Sequence, residues 1–210
     1  MLFRSGAVRF PIDAADFSSY VIEAQASGAD VVALANSGAN AVNSIKQAAE
    51  FGIGRNGQRL VALTLFITDV HSLGLQAAQG LQLTEAFYWD LNDETRAWSR
   101  RFAERNGGKM PTSVQAGVYS AAAHYLKAVK AAGTDDGTTV AAKMRELPVK
   151  DFMTDNRRIR PDGWVMRDFY LLRVKAPADS KGPWDYYELL RTIPAEEAAS
   201  PEKGSGCPLS

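Results

Sequence analysis

The chain has 210 residues, of which 46% are hydrophobic and 23% charged, an ordinary composition for a globular protein of one large domain or two lobes. Lys and Arg number 24 and Asp and Glu number 24, so the formal net charge is zero. That balance argues against nucleic acid as a partner, which needs a basic excess, and against a polybasic membrane patch. No apolar run approaches the roughly 18 residues of a membrane-spanning helix, so no stable membrane insertion is expected.

The opening stretch MLFRSGAVRF lacks an apolar region followed by a small-residue cleavage site and does not read as a signal peptide. Gly6 to Ile12 reads as a strand from the middle of a domain, with Met1–Ser5 as foreign sequence, so an N-terminally truncated chain is expected. Asp16 then precedes Phe17, Tyr20, Val21 and Ala24 at helical spacing, with Asp16 as N-cap and Gly28 as stop. Val31 to Ala35 is a continuous apolar run of strand length, the pattern of a parallel strand covered on both faces. The small polar loop Asn36-Ser37-Gly38 follows, then a helix with Val42, Ile45 and Ala49 inward. Leu60 to Phe66 is the next buried strand, 70–80 a loop and helix, and Leu81 to Trp89 a third strand. Strand–helix alternation with short loops predicts right-handed crossovers and a parallel sheet.

From Asn92 the pattern becomes helical. Asp93 and Glu94 suit the positive end of a helix running to Asn106. Pro111 introduces a long helix, Val114 to Ala132, with Val118, Ala122, Tyr125, Leu126 and Val129 on one apolar stripe. Gly133 ends it, and Thr138 or Thr139 caps a shorter helix to Glu146. Residues 156–175 read as an antiparallel hairpin about Pro161-Asp162-Gly163, where proline pre-sets one dihedral and glycine permits positive φ. Residues 176–210, rich in Pro, Glu, Gly and Ser, read as a surface tail.

Little in the chain suggests catalysis. A single cysteine, Cys207, can form neither an internal disulfide nor a metal cluster. Asp69 and His71 read either as an acid–base pair or as a helix start with Asp69 as cap. Gly52-Ile-Gly54-Arg-Asn-Gly57 imitates the start of a dinucleotide fingerprint but follows a helix rather than a strand, where the amides point the wrong way. No cofactor is expected. The remaining inventory is that of a binding protein: small polar or aromatic groups at the strand ends, namely Asn36-Ser37-Gly38, Phe66-Ile-Thr68 and Phe87-Tyr-Trp89. In an open parallel sheet, ligands bind beyond those ends. For Phe87–Trp89, packing within the core is an equal alternative.

Several stretches together resemble the type I periplasmic binding proteins of ABC transporters, in the leucine and branched-chain amino acid binding branch. They are Asp16-Phe-Ser-Ser-Tyr20, Ala29 to Ala35, Ile45 to Gly52, Ala78-Gln-Gly80, Phe87-Tyr-Trp-Asp90, Ala116-Gly-Val-Tyr119, Ile159 to Gly163 and Lys181-Gly-Pro-Trp-Asp-Tyr-Tyr187. Their order and spacing carry the resemblance rather than any one motif. It implies an α/β fold, a Rossmann-like parallel-sheet lobe with an incomplete second lobe. Residues 6–90 would form most of lobe two, 91–150 helices returning to lobe one, 151–175 a β-hairpin crossing segment and 176–210 a C-terminal tail.

The resemblance also implies an extracytoplasmic, periplasmic location for the full-length parent, ABC transporter permease subunits as partners, no enzymatic activity and a small-molecule ligand held between lobes. Carried over residue by residue, the ligand contacts are Asn36, Ser37, Gly38, Phe66 and Thr68, with Gln115 and Tyr119 at the start of the long helix. The family's branched-chain binders hold the ligand's amino group with an acid in the second loop. Here that place reads Leu-Phe-Ile-Thr, which leaves an amino acid, an aromatic or aliphatic carboxylate, or an amide as ligand classes. A ligand-sensing receptor or regulator of the same fold is the alternative function. A chain of this extent expressed alone is expected to be poorly stable, with apolar faces that promote association.

Overall fold

A computed structural model describes residues 6–54 and 57–201. Met1–Ser5, Cys207 and the middle of the 52–57 glycine stretch therefore lie outside the described residues. The chain divides into two compact units, Met1–Thr84 with Leu171–Leu190, and Glu85–Tyr170 with Arg191–Ser210.

The first unit is α/β. In chain order it holds α1 (Ser18–Ala26), β1 (Val31–Leu34), α2 (Gly38–Glu50), β2 (Arg59–Ala62), α3 (Ile67–Leu73), α4 (Leu75–Ala78) and β3 (Gln82–Glu85). β1, β2 and β3 pair in parallel, with Val31 opposite Arg59 and Val61 opposite Gln82. Later segments β6 (Phe169–Val174) and β7 (Tyr187–Ile193) complete a sheet of order β1-β2-β3-β6-β7. The expected parallel pairing is present, with helices between successive strands that bury one face each. In α2 that face is Ala41, Ser44, Ile45 and Ala48.

Three expectations for this unit need correction. Residues 6–12 form no strand; Val8 and Ile12 are exposed, and backbone groups without a ladder partner stay with water. β1 is not covered on both faces. It is an edge strand, and Val31 is 44% exposed. The supposed tail is structured as far as residue 201: a 3-10 turn at Pro177–Asp179, strand β7 and a short α8 (Ala195–Ala198), with Trp184, Tyr186 and Tyr187 buried.

The second unit is mostly helical: α5 (Asp93–Arg105), α6 (Ser113–Ala132) and α7 (Gly137–Glu146), then a hairpin of β4 (Val149–Asp151) and β5 (Thr154–Arg157). Asn92 caps α5, its side chain accepting from the Thr95 N–H at 2.9 Å. α7 is capped by Asp136, whose carboxylate accepts from Thr139 N–H at 2.9 Å, rather than by either threonine. The hairpin expected about Pro161–Gly163 shrinks to one bridge, Ile159 to Val165, since Arg157 pairs instead with Val149 in β4. The apolar stripe expected on α6 faces outward, with Val118 and Leu126 each 64% exposed. The buried face is Ala116, Ser120, His124 and Ala128, small side chains apart from His124, whose Nε2 lies 2.9 Å from the Met144 carbonyl of α7. Among the described residues no helix is long and apolar enough to cross a membrane.

Candidate functional site

In the first unit, Asn36–Gly38 and Phe66–Thr68 lie side by side. β1 and β2 are adjacent and parallel, so the loops leaving their carboxyl ends share one edge of the sheet. The pairing continues beyond β2, with the Leu63 N–H donating to the Leu34 carbonyl at 3.0 Å. A helix begins at each loop, and the two starts differ.

α2 starts open. Ser37 is its N-cap in extended conformation, no side chain caps it, and its first turn carries no acid. The first N–H groups of a helix have no partner within it and carry about half a positive charge between them. Gly38 sits at φ 57°, a backbone that favours glycine, and both Ser37 and Gly38 are exposed. Asn36 donates from Nδ2 to Ser44 Oγ at 2.8 Å, while its Oδ1 is buried with no hydrogen-bond partner. An orphaned buried acceptor of this kind costs about 1–3 kcal/mol.

α3 starts closed. The Asp69 carboxylate accepts from the Phe66 N–H at 2.9 Å, and Asp69 N–H donates back to the Phe66 carbonyl at 2.9 Å. Asp69 thus serves its own helix, from the first turn rather than from the cap position. It does not pair with His71, whose Nδ1 lies 2.7 Å from the Tyr186 hydroxyl. That arrangement removes the acid–base reading. Phe66 is partly exposed and Thr68 exposed, with Ile67 and Val70 turned into the core.

The second unit carries the other expected contacts. Gln115 Oε1 accepts from the Thr112 N–H at 2.9 Å and so completes a reciprocal cap of α6. Tyr119, 45% exposed, edges onto Trp98 with ring centroids 5.3 Å apart. Trp98 in turn stacks on Phe152 at 4.1 Å and meets Phe87 edge-on at 5.7 Å. Phe87 and Tyr88 are buried, and Phe87 joins Trp98 and Ala116 in one apolar cluster against which Trp89 packs. For Phe87 and Trp89 the packing alternative is therefore the observed one.

One feature of this unit had no signal in the sequence. A cavity of about 570 Å³ is lined by Phe87, Thr95, Phe152, Thr154, Arg167 and Tyr170, among others. Arg167 has no ion-pair partner among the described residues; its guanidinium touches the Met153 sulfur at 3.7 Å. Burial holds its pKa below the usual range, partly offset by the charge of Asp151. Burial, and then the charge of Asp168, push the Tyr170 phenol up. Asp151 itself is engaged, accepting from Ser120 Oγ and from the Met153 N–H.

The loops at the carboxyl ends of β1 and β2 lie where ligands bind in open parallel sheets. Sequence comparison gives the class: a family model described as periplasmic binding protein matches residues 5–183. The chain belongs to the periplasmic binding protein family, a family of solute-binding proteins rather than enzymes. It is 45% identical to a periplasmic binding protein from Burkholderia mallei, over 96% of this chain and 53% of that one, with a TM-score of 0.88. It is also 45% identical to a branched-chain amino acid ABC transporter periplasmic ligand-binding protein from Burkholderia xenovorans, over 92% of this chain and 52% of that one, with a TM-score of 0.83. A solute-binding protein of an ABC transporter from Rhodopseudomonas palustris, solved with benzoate, shares the fold at 21% identity, with a TM-score of 0.74 over 95% of this chain and 52% of that one. No curated protein matches. The chain spans about half the length of the solved relatives.

Proposed function

We propose that this chain supplies part of the substrate-binding component of an ABC importer, which captures a small amphipathic solute outside the cytoplasm and delivers it to permease subunits. The open start of α2 carries the reading. Ser37, Gly38 and the first-turn N–H groups suit a carboxylate or amide oxygen, and the Asn36 amide oxygen beside them, which has no hydrogen-bond partner, suits a donor. Phe66 offers an apolar surface at the same edge, with the Thr68 hydroxyl beyond it. Gln115 and Tyr119, in the second unit, are kept as further proposed contacts.

The closed start of α3 refines the ligand class. The acid nearest the place where branched-chain binders hold an amino group is Asp69, and its carboxylate is already bonded to Phe66 N–H. A ligand without an amino group, an aliphatic or aromatic carboxylate or an amide, fits this edge better than an α-amino acid. The relative from Burkholderia xenovorans belongs to a branched-chain amino acid transporter, and the Rhodopseudomonas palustris protein was solved with benzoate, a carboxylate without an amino group; these are the two chemistries to be separated.

Calorimetric titration of the full-length gene product with L-leucine, 4-methylpentanoate and benzoate tests the reading. One-to-one binding is expected, at least tenfold tighter for a carboxylate lacking the amino group than for leucine. Tighter binding of leucine would overturn the ligand class. Turnover without stoichiometric binding would overturn the function.

A further inference from the structure

α3 carries the proposed contact Thr68 and follows directly from Phe66, yet only seven residues long it depends on its surroundings for its position. Its inner face is fixed by Ile67, Val70 and Leu73 in the core. Its outer face is held by a segment 115 residues further along the chain. The His71 imidazole stacks on the Trp184 indole, with centroids 4.2 Å apart and planes at 7°, and its Nδ1 lies 2.7 Å from the Tyr186 hydroxyl. Trp184 is only 7% exposed, and the imidazole lies flat against one face of its ring.

The turn is built to present that indole. Trp184 adopts φ 71°, a left-handed backbone that is a true outlier for a bulky side chain and persists only where its surroundings over-determine it. Those surroundings are visible. Asp185 accepts from Lys175 Nζ at 2.5 Å and from the Lys181 N–H at 2.8 Å, and Ser180 Oγ donates to the Gly182 carbonyl at 3.0 Å. Lys175 follows directly on β6, so the turn is anchored to the sheet on one side and to α3 on the other. Asp69, two residues before His71, is bonded to Phe66 N–H, and Asp185, next to Trp184 in the turn, to Lys175 and the Lys181 N–H.

We propose that His71, Trp184 and Tyr186 form a clasp that fixes α3, making His71 a positioning residue for the Phe66–Thr68 side of the ligand site. The clasp rests on geometry within the first unit. Its consequence for ligand binding rests on the function proposed above. Two measurements on the full-length gene product keep the two apart. The first is amide hydrogen exchange in His71→Ala, Trp184→Leu and Tyr186→Phe. Protection of residues 67–73 is expected to fall tenfold or more in the first two and less in the third, with α2 unchanged. Unchanged protection of 67–73, or an equal loss throughout the unit, would overturn the clasp whatever the protein binds. The second is the affinity for benzoate and 4-methylpentanoate. His71→Ala is expected to weaken it at least fivefold, and His71→Phe, which keeps the stack, to restore most of it. A lowered melting temperature with unchanged affinity would reduce the clasp to a structural brace. If the unaltered protein binds neither probe while protection responds as expected, the proposed ligand class fails and the clasp stands.

Discussion

The two units resolve the same physical demand in different ways. In the first, the central strands and helices bury their apolar stripes, and the buried acid Asp185 is matched by Lys175 and a backbone N–H. In the second, α6 turns Val118 and Leu126 outward, aromatic rings cluster about Trp98, and Arg167 is half-buried with no ion-pair partner among the described residues. The first is held by many small contacts repeated along a sheet. The second is held by a concentrated cluster, and substitutions there should have larger and more varied effects.

The largest expected effect follows from that concentration. Trp98→Ala removes the ring that stacks on Phe152 and meets Phe87, Phe102 and Tyr119. The loss should be about 3–5 kcal/mol, read as a fall in denaturant midpoint. Val21→Ala on α1 in the first unit, with Val21 6% exposed, should cost less than half as much. Equal losses at the two sites would erase the contrast between the units.

Arg167 should respond in the opposite direction. Its guanidinium is half-buried, its hydrogen bond goes to a thioether, a weak acceptor, and the charge of Asp151 offsets the burial only in part. Removing a half-buried charge whose desolvation is only partly offset, in favour of an apolar side chain of similar length, recovers that desolvation cost. Arg167→Met should raise stability by about 1 kcal/mol, discounted for partial solvent access. A loss in the same melt would mean that Arg167 has a partner after all.

A third effect belongs to the first unit. Burial alone would raise the Asp185 carboxyl, but the hydrogen bonds from Lys175 and the Lys181 N–H, with the charges of both lysines, hold it below the ordinary range. A carboxyl depressed in the folded state stabilises above its unfolded pKa, near 4, and that contribution is lost as pH falls through the lower folded value. The melting temperature of Asp185→Asn should therefore lie below that of the unaltered protein at pH 6, with the gap closing as the pH falls from the ordinary carboxylate range through the lower folded value. A gap constant with pH would show that Asp185 acts through shape and not charge.

What could be read from the residues divides along the same line. Val31 to Ala35 and Leu60 to Phe66 announce parallel strands because both faces of such a sheet are usually covered. The run cannot report how many neighbours a strand has, and β1 proves to be an edge. Asn36–Gly38 and Phe66–Thr68 could be placed at one sheet edge because parallel strands end on the same side. The state of each helix start could not be read: α2 open and α3 closed by Asp69 is a matter of side-chain geometry. The clasp was illegible for a different reason, since His71 and Tyr186 meet across 115 residues. In α6 the apolar stripe includes exposed residues, Val118 and Leu126 among them, and is not the buried face. Helix packing there favours small side chains, so Ala116, Ser120 and Ala128 are buried while the larger residues are left outside.

That inversion yields the smallest expected effect and the sharpest check on the comparison. If the described surface of α6 is a solvated face, Val118→Glu and Leu126→Lys should each change stability by no more than about 0.5 kcal/mol, as surface substitutions do. The buried face of the same helix should not be so tolerant. Ala128, fully buried, has no room for added atoms, and Ala128→Leu should cost about 1–3 kcal/mol through overpacking. The two results belong together because they separate hydrophobicity from burial on one helix. A large loss for Leu126→Lys beside a mild one for Ala128→Leu would reverse the faces and restore the stripe that the periodicity suggested. The expected pattern would instead show that close approach of α6 and α7, anchored by His124 on the Met144 carbonyl, organises this unit more than the apolar content of α6 does.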